Sequence, residues 1–94
     1  MLRHKYKIIL ELDINCGGND NLESLIRDFK SNILNTVFGL NINSDIRQLN
    51  IEASEDAFKT TLIATISIKM SKRDYIRFLC SIYQKYPDNV LKIF

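Results

Sequence analysis

Hydrophobic and polar residues alternate most regularly over residues 58–70, FKTTLIATISIKM. The even positions Phe58, Thr60, Leu62, Ala64, Ile66, Ile68 and Met70 are set against Lys59, Thr61, Ile63, Thr65, Ser67 and Lys69. Successive side chains on a strand point to opposite faces, so this period of two predicts a long strand that is buried on one face and wet on the other. Such a strand needs partners on both edges and helices over its apolar face, because an isolated amphipathic strand cannot offset its ordering entropy.

The rest of the chain supplies those partners. Tyr6, Ile8, Leu10, Leu12 and Ile14 alternate with Lys5, Lys7, Ile9, Glu11 and Asp13, which predicts a second strand. It stops at residues 15–19, Asn-Cys-Gly-Gly-Asn, which tolerate positive φ and break regular structure. Leu22, Leu25, Ile26, Phe29, Ile33 and Val37 then recur at helical spacing. Asp20 with Glu23 has the spacing of an N-cap and its reciprocal carboxylate, with Asn21 an alternative cap, and Gly39 predicts a left-handed helix end. Residues 41–45 read as a turn in which Ile42 is the apolar member. Alternation returns over 46–53, and the short connection 54–57 predicts a hairpin with the long strand.

A second helix follows, with Ser71 as N-cap, Asp74 at its third position, and Tyr75, Ile76, Leu79, Ile82, Tyr83 and Tyr86 along one face, flanked by Phe78 and Cys80. Pro87-Asp88-Asn89 stops it, and residues 90–94 predict a short closing strand. The order is β-α-β-β-α-β. Right-handed crossovers place both helices on one side of an antiparallel sheet of order 4-1-3-2, which predicts a ferredoxin-like α+β two-layer sandwich. The opposite face of the sheet is left open. It presents Lys7, Ile9, Glu11, Thr61, Ile63, Thr65 and Ser67, so Ile9 and Ile63 form an apolar patch of the kind that marks contacts, and 46–53 forms an exposed edge.

Composition narrows the class. At 94 residues the chain has room for one domain, spanning 1–94, and 46% hydrophobic with 26% charged residues is globular. The net charge of +2 is too small to argue for nucleic acid or an anionic membrane. Cys16 and Cys80 lie far apart in a chain rich in aliphatic residues, which predicts a reducing, cytoplasmic setting. The first fifteen residues begin basic and turn apolar, but Glu11 and Asp13 interrupt the run and no small-residue cleavage site follows, so a signal peptide is not predicted. No stretch approaches the ~20 apolar residues of a membrane span.

Candidate chemistry is sparse. Cys16, Gly17, Gly18, Asn19 and Asp20 form a candidate ligand-binding loop, since consecutive backbone N–H groups before a helix suit an anion; more commonly such a stretch only feeds a cap. It lacks the glycine spacing and lysine of a phosphate loop and the three-glycine dinucleotide fingerprint. No second cysteine stands two positions from Cys16, so neither a metal nor a cofactor is expected. Acylphosphatases share this topology, but their glycine-rich loop with an arginine is not present after the first strand, and Arg3 precedes that strand as read from the pattern. His4, the sole histidine, falls on an expected frayed terminus, leaving a histidine-dependent triad nothing to stand on. RNA-recognition motifs share this topology but stack bases on aromatics of the two central strands, and no aromatic lies at the outward positions. The basic group Lys69, Lys72, Arg73 and Arg77 keeps a nucleic-acid-binding module as the alternative reading.

At the level of fold, the whole chain resembles ACT-like regulatory domains, and in particular the cytoplasmic C-terminal domain of the MgtC/SapB membrane protein family. The resemblance rests on Tyr6-Lys7-Ile8, Lys59-Thr60-Thr61-Leu62-Ile63-Ala64-Thr65, Ser71-Lys72-Arg73-Asp74 and the run from Tyr86-Pro87 to Lys92-Ile93. It implies a non-enzymatic regulatory or protein-interaction domain acting as a homo-oligomer or by docking on another protein. A small-molecule ligand is a further implication, and the membrane enters only through a parent chain. No catalytic residue carries over.

Overall fold

In the computed structural model, which describes residues 2–14, 22–42, 44–55, 59–86 and 91–94, the alternating segments pair into one sheet. The elements are β1 (Arg3–Ile14), α1 (Leu22–Gly39), β2 (Asp45–Glu55), β3 (Thr60–Ser71), α2 (Lys72–Gln84) and β4 (Leu91–Ile93). All strand pairs are antiparallel and the order is β2-β3-β1-β4, which read from the other edge is 4-1-3-2. This is an α+β architecture with a four-stranded sheet and two helices, compatible with a ferredoxin-like sandwich.

The two long strands are the spine. β1 and β3 pair along their whole length, from Arg3 opposite Ser71 to Ile14 opposite Thr60. Their even residues Ile8, Leu10, Leu12, Leu62, Ala64, Ile66, Ile68 and Met70 are buried, and over them lie Phe29, Ile33 and Val37 of α1 with Phe78 and Ile82 of α2. Burying each of the larger side chains contributes ~1.5–3 kcal/mol, so this one-sided core is what holds the layers together.

Several boundaries differ from those predicted. The long strand β3 begins at Thr60, with Lys59 outside it, and runs one residue further than predicted, to Ser71. Ser71 keeps an extended backbone, φ −71° and ψ 157°, so it ends the strand and caps α2 at once, its Oγ accepting from the Asp74 N–H at 3.2 Å. Ser71 pairs with Arg3 and Met70 with His4, so both lie inside β1, and His4 packs edge-on to Tyr6 with ring centroids 6.3 Å apart. β2 is longer than predicted at both ends, absorbing Ser54 and Glu55, and β4 is only Leu91–Ile93. The expected caps Asp20 and Asn21, the stop at Pro87-Asp88-Asn89 and the strand residues Phe58 and Val90 lie outside the described residues.

Gly39 does not end α1 in a left-handed turn. It is the last helical residue, and the left-handed position is Asn41, at φ 56°. The Asn41 N–H donates to the Phe38 carbonyl at 3.1 Å and the Ile42 N–H to the Val37 carbonyl at 3.2 Å. These are the two bonds of a Schellman cap, with Ile42 folding onto the core beside Val37. Asparagine is the side chain best suited to this conformation after glycine, so the cap falls two residues later than the glycine suggests.

Candidate functional site

The open face of the sheet is built by the odd residues of β1 and β3. Ile9 faces Thr65, and Ile63 lies between Glu11 of β1 and Glu52 of β2. Both isoleucines are partly exposed, so the structure brings together the two residues the alternation singled out. It adds a third. Phe94, just past β4, exchanges two backbone hydrogen bonds with Ile9, at 2.8 and 3.3 Å, which puts its 65% exposed side chain on the same face. Nothing in the alternation pointed to Phe94, because its face depends on the register of a three-residue strand.

Charge is segregated about this apolar centre. Toward one end, Lys5 faces Lys69 and Lys7 faces Ser67. Arg47 joins them from β2 and ion-pairs with Asp45 at 3.0 Å, and a shallow cavity of about 230 Å³ opens between Lys5, Lys7, Arg47 and Ser67. Toward the other end stand Glu11, Glu52 and Asp13. Asp13 accepts from the Thr61 hydroxyl at 3.1 Å and lies 3.8 Å from the Lys59 ammonium, while Lys92 of β4 faces Glu11. Like charges directly opposite each other on a sheet are unfavourable, and the Lys5–Lys69 pair is offset in part by Asp45 of β2, which faces Lys69 from its other side.

A second feature lies where the end of β1 meets α1. Leu12, Ile14, Leu25, Phe29, Asn32 and Tyr86 are among the residues that line a cleft of about 360 Å³, with Asp13 and Asp28 at its rim. Asn32 donates its side-chain N–H to the Tyr86 oxygen at 2.8 Å, and Phe29 meets the Tyr86 ring edge-on at 5.8 Å. Burial raises the Tyr86 pKa above its ordinary 10.0; the Asn32 bond opposes this and the Asp28 charge adds to it. The candidate loop Cys16, Gly17, Gly18, Asn19 and Asp20 lies outside the described residues.

The basic group Lys69, Lys72, Arg73 and Arg77 does not form one surface. Lys69 sits on the open face, whereas Arg77 on α2 bonds Asp74 and donates to the Leu40 carbonyl at 3.0 Å, where it serves the C-terminal end of α1. Among the described residues no three His, Cys, Asp or Glu side chains gather as a metal site, and no helix is long and apolar enough to cross a membrane.

No protein-family model matches the chain, and no curated protein matches it. Among solved structures it is similar to the de novo designed protein Foldit4, with a TM-score of 0.63 and 12% identity over 97% of this chain and 92% of that one. It is also similar to the de novo designed protein Ferredog-Diesel, with a TM-score of 0.50 and 14% identity over 95% and 84% of the two chains. At such identities the likeness shows the fold alone.

Proposed function

We propose that this chain is a non-enzymatic regulatory or protein-interaction domain, a ferredoxin-like module of the ACT-like kind, which self-associates through the open face of its sheet. One observation carries the reading: Ile9, Ile63 and Phe94 stand at the centre of a sheet face that no described helix covers, with Lys5, Lys7 and Lys69 toward one end and Glu11, Glu52 and Asp13 toward the other. A two-fold axis lying between two such faces and running across the strands superposes the apolar centres. It also sets the lysine end of each copy over the carboxylate end of the other. The surface is thus its own complement, which is the requirement of an isologous dimer. The resemblance to the soluble domain of MgtC/SapB proteins supports the same reading, with the membrane reached through a parent chain.

The test is solution mass by light scattering over a range of protein concentrations. The wild-type chain is expected to dimerise, and Ile9→Lys with Ile63→Lys to be monomeric with an unchanged circular dichroism spectrum. Both positions are partly exposed, so the fold tolerates the change. A mass that does not respond to the double substitution overturns the sheet-face reading.

A further inference from the structure

The cleft where the end of β1 meets α1 lies on the helix-covered side of the sheet, away from the open face. Leu12 and Ile14 are even residues of β1, so their side chains turn toward the helices, where Leu25 and Phe29 of α1 stand one turn apart. With Tyr86 these residues give the cleft an apolar lining. Its volume of about 360 Å³ falls within the roughly 300–1,000 Å³ of small-molecule sites. Phe29 is buried and the Tyr86 ring stands edge-on to it at 5.8 Å, so two aromatic walls are already assembled.

The polar groups left over in the cleft are acceptors. Asp28 and Asn32 stand one turn apart on the face of α1 that carries Leu25 and Phe29. Asn32 gives its side-chain N–H to the Tyr86 oxygen at 2.8 Å, which leaves its carboxamide oxygen without a partner among the described residues. The phenolic oxygen keeps a second lone pair. Asp28 makes no ion pair among the described residues. Burial raises the Tyr86 pKa and the Asp28 charge adds to it, so this carboxylate acts within electrostatic reach of the phenol. The described lining holds no lysine or arginine; Lys85 reaches the Asn32 backbone carbonyl, at 3.5 Å, and Asp13 turns its carboxylate to Thr61 and Lys59.

An apolar cleft with such acceptors and one unpaired negative charge complements a primary ammonium, which carries three donors, no acceptor and one positive charge. We infer that the cleft binds a small primary amine with an apolar tail, the ammonium at Asp28, Asn32 Oδ1 and the Tyr86 oxygen, and the tail against Leu12, Leu25 and Phe29. A carboxylate of the same shape meets the Asp28 charge with nothing to offset it, and a neutral alcohol leaves that charge unpaired. Asp28 is exposed, so solvent screens it and its part is selectivity, while burial of the tail supplies most of the affinity.

NMR titration of the isotope-labelled full chain with phenethylamine, which is protonated near neutral pH, tests this. Shift changes are expected at Leu12, Leu25, Phe29 and Tyr86, with a dissociation constant on the order of millimolar for a ligand this small. Phenethylamine is expected to bind at least fivefold more tightly than phenylethanol or phenylpropionate, which offer a similar tail with a neutral or an anionic head. Asp28→Asn is expected to abolish the preference for the amine over the alcohol while leaving the alcohol's own binding unchanged, which shows the cleft intact. Absence of shifts at these residues overturns the proposal. Equal binding of phenethylamine and phenylpropionate also overturns it, as does a preference for the amine that survives Asp28→Asn. Ile9→Lys with Ile63→Lys alters the opposite side of the sheet and is expected to leave amine affinity unchanged, so this inference and the self-association reading succeed or fail separately.

Discussion

At the scale of single residues, the C-terminal cap of α1 divides its work between two neighbours that the sequence makes easy to confuse. Gly39 is helical and exposed, and a Cβ placed on it meets nothing within 4 Å. Its conformational freedom is therefore a cost without a use, and Gly39→Ala is expected to raise stability by ~0.5–1 kcal/mol in urea unfolding. Asn41, at φ 56°, is where the freedom is needed. Asn41→Val is expected to cost about 1 kcal/mol or more, whereas Asn41→Gly is expected to be neutral or slightly stabilising. Tyr86 gives a pH signature. Its burial raises its pKa, so the folded state holds the phenolic proton more tightly than the unfolded chain, whose value is near 10.0. That contribution is present below pH 10 and declines as pH rises through the folded value. Unfolding midpoints measured through this range should fall with pH, and Tyr86→Phe should flatten part of the fall.

At the scale of elements, β2 shows a phase change that one residue accounts for. Ile46 faces Ile68 and Leu49 faces Ile66, with Arg47 left over as a bulge, so two aliphatic residues three apart reach the same layer. Deleting Arg47 turns Ile46-Gln48-Leu49-Asn50-Ile51 into plain alternation, with loss of an exposed ion pair worth little. The deletion is expected to cost under ~1 kcal/mol, while deleting Asn50 throws Leu49 out of phase with Ile51 and Ala53 and is expected to cost several times more in thermal melts. The strands and helices were legible in the sequence because each has a single apolar face, and period two or 3.6 records that directly. Ile9 and Ile63 were legible for the same reason. Phe94, the Lys5 and Lys69 pairing, and the Asn32 bond to Tyr86 were not, because they depend on register and on packing between distant segments, and local periodicity carries neither. β1 begins at Arg3, ahead of its alternation, because a strand end is set by its partners, here Ser71 for Arg3 and Met70 for His4.

At the scale of the whole molecule, the division of charge along the open face makes association a matter of orientation as well as area. In the proposed dimer Lys7 of one copy lies over Glu11 of the other. Lys7→Glu and Glu11→Lys are each expected to weaken dimerisation several-fold, the two symmetry-related contacts losing up to ~1 kcal/mol each. The two changes combined in one chain are expected to restore it, since exchanged ends remain complementary. Sedimentation or light scattering would show this, with the differences shrinking at high salt as the charges are screened. The pairing of β1 with β3 has a last consequence, for the route by which the chain reaches this state. Even the nearest facing residues, Ile14 and Thr60, are separated by all of α1 and β2. During synthesis the first strand must therefore wait, its greasy side without a home, until most of the polypeptide has left the ribosome. The hairpin of β2 and β3 is the one local piece that can form early. The slow step in acquiring the fold is then capture of the waiting strand by that hairpin, and crowding or delay at that stage exposes the chain to aggregation.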